Sequence, residues 1–371
     1  MPTNVQQADD QIDELPPGTP DPFATLYRRI DAFNKDRAGI LGTASDAGAE
    51  SATRNLMHTA ERLATHYQKK IVGALQRLFG ATALAVLTLE AYAHLLPRAH
   101  PLVVVYLAAS VVAVWTYAAA RRGRWQDRAQ DYRALEIGLN VQQAWDAAGL
   151  GYSVADYYIR RQRTELDWIR EAIRTAHNVD RRNRFDEVEG IAVVRAFIAG
   201  QHTYFAGTSG VPGGAGREQK KSDAHARISR WSLRISFVAS ALLVVYGLLA
   251  WLAPKALDAF AHEEVLRGGL IFAVASAAIA AALFHDYPAR RGHPQHARRY
   301  AIMAEIYARA LAALDAAEQP EAWREPGAEP RPSRIAVSRE CIAEVGHETL
   351  IESGDWLPLH RELPIELLPV G

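Results

Sequence analysis

The sequence predicts an all-α integral membrane protein with two transmembrane helical hairpins and cytoplasmic helical segments. Three observations support this class. Four apolar runs of about 17–19 residues come in two pairs, and a helix of about 20 such residues spans a hydrocarbon core of roughly 30 Å. The outer flanks of each pair are rich in arginine and lysine. Tyrosine and tryptophan lie toward the ends of the runs, where amphipathic rings favour the membrane interface.

Charge next to the runs predicts the topology. The runs are 78–96, 102–120, 235–252 and 268–284, and basic residues close to the ends of a span stay in the cytoplasm. All four outer flanks are basic, so we expect both termini and the middle of the chain inside, with two short tips outside, in the cell's inner (plasma) membrane. The alternative is four buried helices of a soluble bundle. The flanking basic residues include Lys69, Lys70, Arg121, Arg122, Arg124, Arg227, Arg230, Arg234, Arg290 and Arg291.

The first part of the chain divides into three segments. Residues 1–22 are polar, acidic and proline-rich, which predicts a disordered leader without a signal peptide. Residues 23–70 form a predicted cytoplasmic helical segment, interrupted by a glycine- and serine-rich break at 39–51. Its second piece, 52–70, is expected to run straight into the first transmembrane hairpin at 71–120, whose first span then acts as the insertion signal.

The middle of the chain, 121–234, is predicted to be a cytoplasmic helical region. A helix is expected at 126–148, ended by the glycines at 149–151. A second is expected at 154–178, capped by Ser153 with Asp156 three residues later. A third is expected at about 185–200, and the sequence GTSGVPGGAG at 207–216 is typical of a flexible loop.

The last part of the chain repeats the order of a hairpin followed by a helix. The second transmembrane hairpin is expected at 235–284, a cytoplasmic helix at 285–318, and a Pro-rich linker with a C-terminal tail at 319–371. A helix at 338–352 is possible within the tail, and prolines favour an extended chain after it. Tyr132 and Glu136 after the first hairpin match Tyr300 and Glu305 after the second, although alanine- and arginine-rich helices also look alike by chance.

Composition and motifs give no sign of chemistry. The chain has 42 basic and 42 acidic side chains, so no bulk attraction to nucleic acid is expected. Its one cysteine, Cys341, excludes a disulfide framework and is most simply a small buried residue. The glycines at 213–216 lack the ending of a phosphate loop, and His293 and His296 are too few for a metal site. We therefore expect no enzyme activity, no cofactor and no metal.

Glu90 is the one acidic residue inside an apolar run. A carboxylate at membrane depth is costly and marks a functional candidate. Glu90 also lies about two turns before Pro97. It is therefore a candidate pore charge or an interfacial charge that reaches the headgroups or pairs with Arg98.

The fourth run contains a row of small residues. Ala273, Ala277 and Ala281 recur every four residues, a spacing that allows close helix packing in lipid. Serines 236, 240 and 276 are able to hydrogen-bond between helices. Packing within or between subunits is the main interpretation, and a polar pore lining is the other.

Aromatic and aliphatic residues of the cytoplasmic segments are candidate contacts. Leu166, Ile169 and Ile173 recur at spacings of three and four, which makes an apolar stripe on one helix face. That stripe needs a partner, either the neighbouring cytoplasmic helices or another protomer. The candidate contact residues are Tyr132, Trp145, Leu166, Trp168, Ile169, Ile173 and Trp356.

The order of these features resembles a known family. The stretches YRALE at 132–136 and QQAW at 142–145, SVADYY at 153–158 with ELDWI at 165–169, and SGDWL at 353–357 with HR at 360–361 carry the likeness. Over roughly 25–365 the chain resembles the bacterial SLATT group of SMODS- and SLOG-associated transmembrane effectors. The resemblance implies a membrane effector of a nucleotide-triggered conflict system that acts by membrane disruption.

The chain departs from this group before its first hairpin. Members often carry a nucleotide-sensing Rossmann-like domain there, whereas this leader has no strand or glycine-rich fingerprint. A sensor, or an enzyme that synthesises the nucleotide, is then expected on a separate protein or is absent.

Three functions compete at this point. The first is an effector or pore-forming component of a bacterial signalling or anti-phage conflict system, gated through its cytoplasmic helices and assembled as a homo-oligomer in the lipid bilayer. The second is a non-conducting membrane-anchored scaffold or signalling adaptor. The third, a small transporter, is disfavoured because broken helices and polar groups at the membrane midplane are missing.

Overall fold

The computed structural model describes residues 22–42, 51–158, 166–180, 186–252, 263–290, 293–318 and 333–361. Nearly all of these residues are helical. The predicted leader and the linker at 319–332 lie outside the described residues, except that Pro22 already belongs to the first helix. The helices are α1 (Pro22–Leu41), α2 (Ala52–His94), α3 (Pro101–Arg122), α4 (Trp125–Ala147), α5 (Val154–Tyr157), α6 (Asp167–Asp180), α7 (Glu187–Ala206), α8 (Gly214–Leu252), α9 (Glu263–Arg290), α10 (His293–Glu318) and α11 (Arg334–Arg361).

Four of the described helices are long and apolar enough to cross a membrane. They are α2, α3, α8 and α9, the last together with the helix that follows it. This agrees with the predicted class of an all-α protein with four membrane helices. Large apolar side chains on their surfaces are exposed, among them Val111, Trp115 and Phe237.

The helices recur in the same order in the two halves of the chain. In the first half α2 packs against α3 and also against α4, and in the second half α8 packs against α9 and against α10. As the sequence predicted, the helix at 52–70 runs without a break into the first apolar run, because α2 is a single helix of 43 residues. The halves touch where α9 meets α2 and where α11 meets α4.

Glycine ends α4, as predicted. Gly149 has a positive φ of 68°, the left-handed conformation that favours glycine after a helix. The junction before α4 uses a different device. Arg124 adopts a left-handed φ of 49° between α3 and α4, and its guanidinium donates to Asp127 at 2.8 Å. The chain therefore turns at Gly123 and Arg124, and α4 begins directly after them.

The predicted helix at 154–178 is wrong as one continuous element. Helix α5 ends at Tyr157, and Tyr158 has extended backbone with φ −84° and ψ 135°. The Tyr158 ring is buried, and its hydroxyl lies 2.7 Å from the Ser353 hydroxyl of α11. This anchoring fixes the chain direction at the point where the helix would have continued. Ser153 precedes α5 as predicted but makes no side-chain capping bond.

The predicted loop at 207–216 is also different in the structure. Strands β1 (Gly207–Thr208) and β2 (Val211–Pro212) pair in antiparallel register, and α8 begins at Gly214. A Cβ on Gly207 would come within 2.3 Å of the Gly213 nitrogen. The glycines therefore allow two backbone segments to approach closely and form a tight hairpin between α7 and α8.

One helix boundary in the last part of the chain differs from the prediction. Over the predicted helix at 285–318, the described residues are helical up to Arg290 in α9 and again from His293 in α10, and residues 291–292 lie outside the described residues. The tail helix predicted at 338–352 is longer, since α11 covers Arg334–Arg361 and includes Pro358, where an extended chain was expected.

The main core lies in a helical bundle outside the apolar spans. We use the term helical bundle for α1, the first half of α2, α4 to α7, α10 and α11. Its largest fully buried side chains include Trp145, Tyr158 and Tyr307. A second, small cluster of Leu78, Ala81 and Ala113 joins α2 to α3 inside the apolar pair. The apolar pairs therefore have thin internal packing, whereas the helical bundle has a core of its own.

Candidate functional site

Glu90 lies in the last turns of α2, close to the end of the first apolar run. Its side chain is 28 % exposed, and a carboxylate oxygen lies 3.6 Å from His94 Nε2, one turn further along the helix. The sequence suggested Arg98 as the partner, and the structure places His94 there instead. A carboxylate beside an imidazole at a helix end is able to bind a cation or to reach headgroups.

The small-residue row of α9 faces the inside of one subunit. Ala277 and Ala281 are buried, and Ala273 is partly buried. Ser229 Oγ of α8 donates to the Ala281 carbonyl at 2.9 Å, and Ser236 Oγ donates to the Val274 carbonyl at 3.1 Å. These bonds place the row against α8, so the close packing that the spacing predicted occurs within the subunit.

The other two serines singled out by the sequence do not bridge helices. Ser240 Oγ donates to the Ser236 carbonyl of its own helix at 2.8 Å. Ser276 Oγ is buried and has no hydrogen-bond partner in the part of the chain that the structure describes. Of the three, Ser236 is the one that joins α8 to α9.

A polar cluster that the sequence did not suggest joins α1 to α2 and α4. Asp36 accepts hydrogen bonds from the Tyr132 hydroxyl at 2.5 Å and from Arg128 Nη1 at 2.7 Å. The same Arg128 nitrogen donates to the Tyr67 hydroxyl of α2 at 2.7 Å. Burial and the neighbouring Asp36 carboxylate raise the pKa of Tyr132. Tyr132 therefore stays neutral, and Arg128 and Asp36 form an ion pair.

Trp145 anchors α4 to the tail helix. It is fully buried, and its indole Nε1 donates to the Ile342 carbonyl of α11 at 3.1 Å. Gly346 of α11 lies directly over the indole, because a Cβ there would come within 2.3 Å of Nε1. The ring of His347 lies 5.2 Å from that of Trp145. This predicted contact residue therefore works within the chain, by docking α11.

Gln142 forms a second buried polar cluster. Its Nε2 lies 2.9 Å from Asp146 Oδ1 and 3.0 Å from His177 Nδ1, and its Oε1 accepts the Val154 backbone N–H at 2.7 Å. His177 Nδ1 also lies 2.9 Å from Asp146 Oδ1. Burial raises the pKa of Asp146, and the His177 charge opposes that shift. Gln142 thus accepts the backbone N–H of the first residue of α5, and its contact with His177 holds α6 against α4.

The apolar stripe of α6 is covered by its own chain. Leu166, Ile169 and Ile173 are almost fully buried in the main core. Trp168 is also buried, with its ring centroid 5.7 Å from that of Phe33 of α1. Of the two partners left open for this stripe, the neighbouring helices are the ones observed. Trp356 falls in the last turns of α11, where the structure does not describe side chains.

Among the described residues, no group of three His, Cys, Asp or Glu side chains is placed to hold a metal ion. Cys341 is a free, buried thiol, as the sequence suggested, and burial raises its pKa, which keeps it protonated and unreactive. The polar clusters around Asp36 and Gln142 hold helices together.

No family model matches the chain, and neither a curated protein nor a solved structure matches it. The resemblance to transmembrane effectors therefore stays a prediction. The structure itself defines a coarser class, a helical protein with four helices long and apolar enough to cross a membrane. In this chain one of those four helices, α2, also extends into the helical bundle.

Proposed function

We propose that this protein is a four-span membrane effector whose helical bundle controls what its membrane helices do to the bilayer. The observation that carries the proposal is the continuity of α2. One unbroken helix contributes Leu63 to the bundle core, Leu78 to the small membrane cluster and Glu90 to the end of the first span. A signal that moves the bundle has a rigid path into the membrane.

The exposed apolar surface supports insertion in a bilayer. Val104, Val111 and Trp115 of α3 and Phe237 of α8 have more than half of their surface exposed. In water, each square ångström of such surface costs roughly 25 cal/mol, and soluble proteins avoid large apolar patches. Lipid chains remove that cost.

Each apolar pair then crosses as a hairpin, with both termini and the bundle in the cytoplasm. The basic flanks at all outer ends support this orientation. Reporter fusions at His100, Gly210 and the C-terminus test it. We expect an external signal at His100 alone, and an external signal at Gly210 would contradict the paired hairpins.

The membrane action we propose is a pore or a local disruption of the bilayer built from several copies. The spans offer few polar groups, so one subunit does not line an aqueous path by itself. Homo-oligomers in the inner membrane, triggered by a separate nucleotide-sensing or nucleotide-synthesising protein, would match the family resemblance. We propose no enzymatic step and no cofactor.

Leakage of a dye from liposomes tests the effector proposal. We expect the reconstituted protein to leak, and Asp36→Asn to change the leak severalfold because it loosens α1 from α2 and α4. Asp315→Asn, which alters an exposed carboxylate of α10, is the matched control and should leave leakage unchanged. Protein that inserts but never leaks would support the membrane-anchored scaffold instead.

Glu90→Gln tests the outer end of the path. Loss of the charge should change ion selectivity if the carboxylate lines the mouth of a pore. Unchanged ion flux and cell toxicity would place Glu90 at the interface, paired with His94.

A further inference from the structure

One face of α8 is turned toward α9 by the serine hydrogen bonds described above. Ser229 is buried, and its hydroxyl donates to the Ala281 carbonyl of α9. Successive residues of a helix are about 100° apart. Arg227, Arg230 and Arg234 therefore lie about 100° to 160° from Ser229 around the axis, on the face turned away from α9.

Three arginines and one tryptophan make up this outer face. We call Arg227, Arg230, Trp231 and Arg234 the α8 basic face. All four are exposed, Trp231 to 61 %. The Arg234 guanidinium lies 5.0 Å from the centre of the Trp231 ring, as in a cation–π contact. One turn further on, Phe237 is 77 % exposed.

Among the described residues, no carboxylate lies within ion-pairing distance of the three guanidinium groups of the α8 basic face. Arg230 Nε donates weakly to the Ala226 carbonyl of its own helix at 3.3 Å, and the contact of Arg234 with Trp231 lies within the face itself. Asp223 is the nearest acid on this face, one turn earlier, and its carboxylate accepts from Gln219.

The basic residues around the junction of α3 and α4 are used differently. Arg124 pairs with Asp127, Arg128 pairs with the nearly buried Asp36, and Arg121 donates to the Tyr117 hydroxyl at 3.1 Å. Both sets follow the positive-inside pattern, but the first is largely engaged with protein groups. The α8 basic face is available to a ligand.

We propose that the α8 basic face binds the phosphate headgroup of an anionic phospholipid in the cytoplasmic leaflet. The proposal rests on the membrane insertion argued above. Arginine forks bind phosphate oxygens in pairs, basic residues beside a span attract anionic lipid, and tryptophan sits at headgroup level. Phe237 below the arginines would contact the acyl chains of the same lipid.

Retained lipid measures this binding. The full chain is purified from membranes that contain phosphatidylcholine and phosphatidylglycerol, and both lipids are quantified by mass spectrometry. We expect the triple variant R227Q/R230Q/R234Q to retain about tenfold less phosphatidylglycerol and the same amount of phosphatidylcholine. The charge-matched variant R121Q/R122Q/R124Q should retain as much as the parent. Equal loss in both variants, or no loss in either, overturns the proposal.

A second measurement leaves the arginines intact. Brominated phosphatidylglycerol or brominated phosphatidylcholine quenches tryptophans close to it, and the difference between the parent and Trp231→Phe isolates the signal of Trp231. We expect stronger quenching of Trp231 by the brominated phosphatidylglycerol, and equal quenching by both lipids overturns the proposal.

Two controls distinguish lipid binding from the binding of free phosphate and from a failure of membrane insertion. Excess inorganic phosphate should leave the quenching unchanged, and displacement of the lipid by phosphate would mean that the face is a plain phosphate site. Extraction with sodium carbonate tests insertion separately. A chain released by carbonate contradicts the proposed membrane function, whereas an inserted chain without preference for phosphatidylglycerol contradicts the α8 basic face alone.

Discussion

Helices α2 and α8 open the two halves of the molecule in the same way but are packed differently. Of the most apolar 18 residues in each helix, 39 % are buried in α2 and 6 % in α8. The half of α2 outside the apolar run lies in the bundle core, where Ala60 and Leu63 have no exposed surface. The same half of α8 exposes Lys220, Lys221 and Arg230.

This difference shows that one sequence pattern serves two structural roles. Both helices combine a polar half with an apolar half, so a hydropathy profile identifies each of them as a candidate membrane span. Helix α2 packs against α3, α4, α6 and α9, whereas α8 packs mainly against α9 and α10. The first half of the molecule therefore connects its apolar pair to the bundle more closely, and the second leaves more apolar surface exposed.

The largest expected effect tests the role of α2 in the core. Leu63→Ala removes a fully buried side chain and should cost about 2–5 kcal/mol of unfolding free energy. Ile228→Ala on α8, where the side chain is 43 % exposed, should change it by less than about 0.5 kcal/mol. Thermal unfolding in detergent measures both. Similar losses for the two variants would remove the contrast between the helices.

The next effect compares two ion pairs, one that joins α1 to α4 and one that joins α7 to α10. Asp36→Asn breaks a largely buried carboxylate away from Arg128 and Tyr132, and we expect a loss of about 1.5–3 kcal/mol. Asp315→Asn disturbs an exposed contact with Arg195 between α10 and α7, worth less than about 1 kcal/mol. High salt should reduce the second loss and leave most of the first.

The contact between α2 and α9 is the third test. A Cβ at Gly268 of α9 would lie 2.1 Å from the His94 carbonyl oxygen of α2. Gly268→Ala should therefore push α9 away and cost about 1–3 kcal/mol. Gly269→Ala is the matched control, because no atom lies within 4 Å of its Cβ position. A melting temperature that falls equally in both variants would place the contact elsewhere.

The smallest effect concerns the start of α2. Asp180 of α6 accepts hydrogen bonds from the backbone N–H groups of Ala52 and Thr53 and from the Ser51 hydroxyl, at 2.7–3.0 Å. Asp180→Ala removes this cap and should cost about 0.5–2 kcal/mol near neutral pH. Asp186→Ala, which removes the cap of α7, serves as the comparison.

The same carboxylate predicts a pH dependence. Burial alone would raise the pKa of Asp180, but its hydrogen bonds outweigh burial and hold the pKa below the ordinary value of 3.8. Its stabilisation is thus complete above that pH and is lost as the pH falls through the lowered pKa. The difference in Tm between the parent and Asp180→Ala should shrink in acid. A difference that grows in acid would contradict the cap.

Much of the fold could be predicted because its signals are local. The four apolar helices, the continuity of α2 and the glycine end of α4 each follow from a short stretch of sequence. The break at Tyr158 could not be predicted in this way, because its cause is a hydroxyl partner on Ser353 of the tail helix. The hairpin at 207–212 did leave a signal, the glycines at 207 and 213, which was interpreted as flexibility.

The candidate site was only partly predictable for the same reason. Tyr132, Trp145 and the α6 stripe were singled out by aromatic character and spacing, and all are core residues. Asp36 and Gln142 were missed, since a lone polar residue on a helix looks solvated until tertiary packing supplies its partners. Some of these partners are distant in the chain: Tyr132 lies 96 residues after Asp36.

The unbroken path of α2 has a consequence for torsion. A helix of 43 residues is about 63 Å long at 1.5 Å per residue, and its hydrogen bonds resist twisting along the whole length. Asp180 accepts hydrogen bonds at one end of α2, and the His94 carbonyl at the other end lies against Gly268 of α9. In the function we propose, a rotation of α6 would turn α2 as one rigid helix and would be passed on to α9 at the other end.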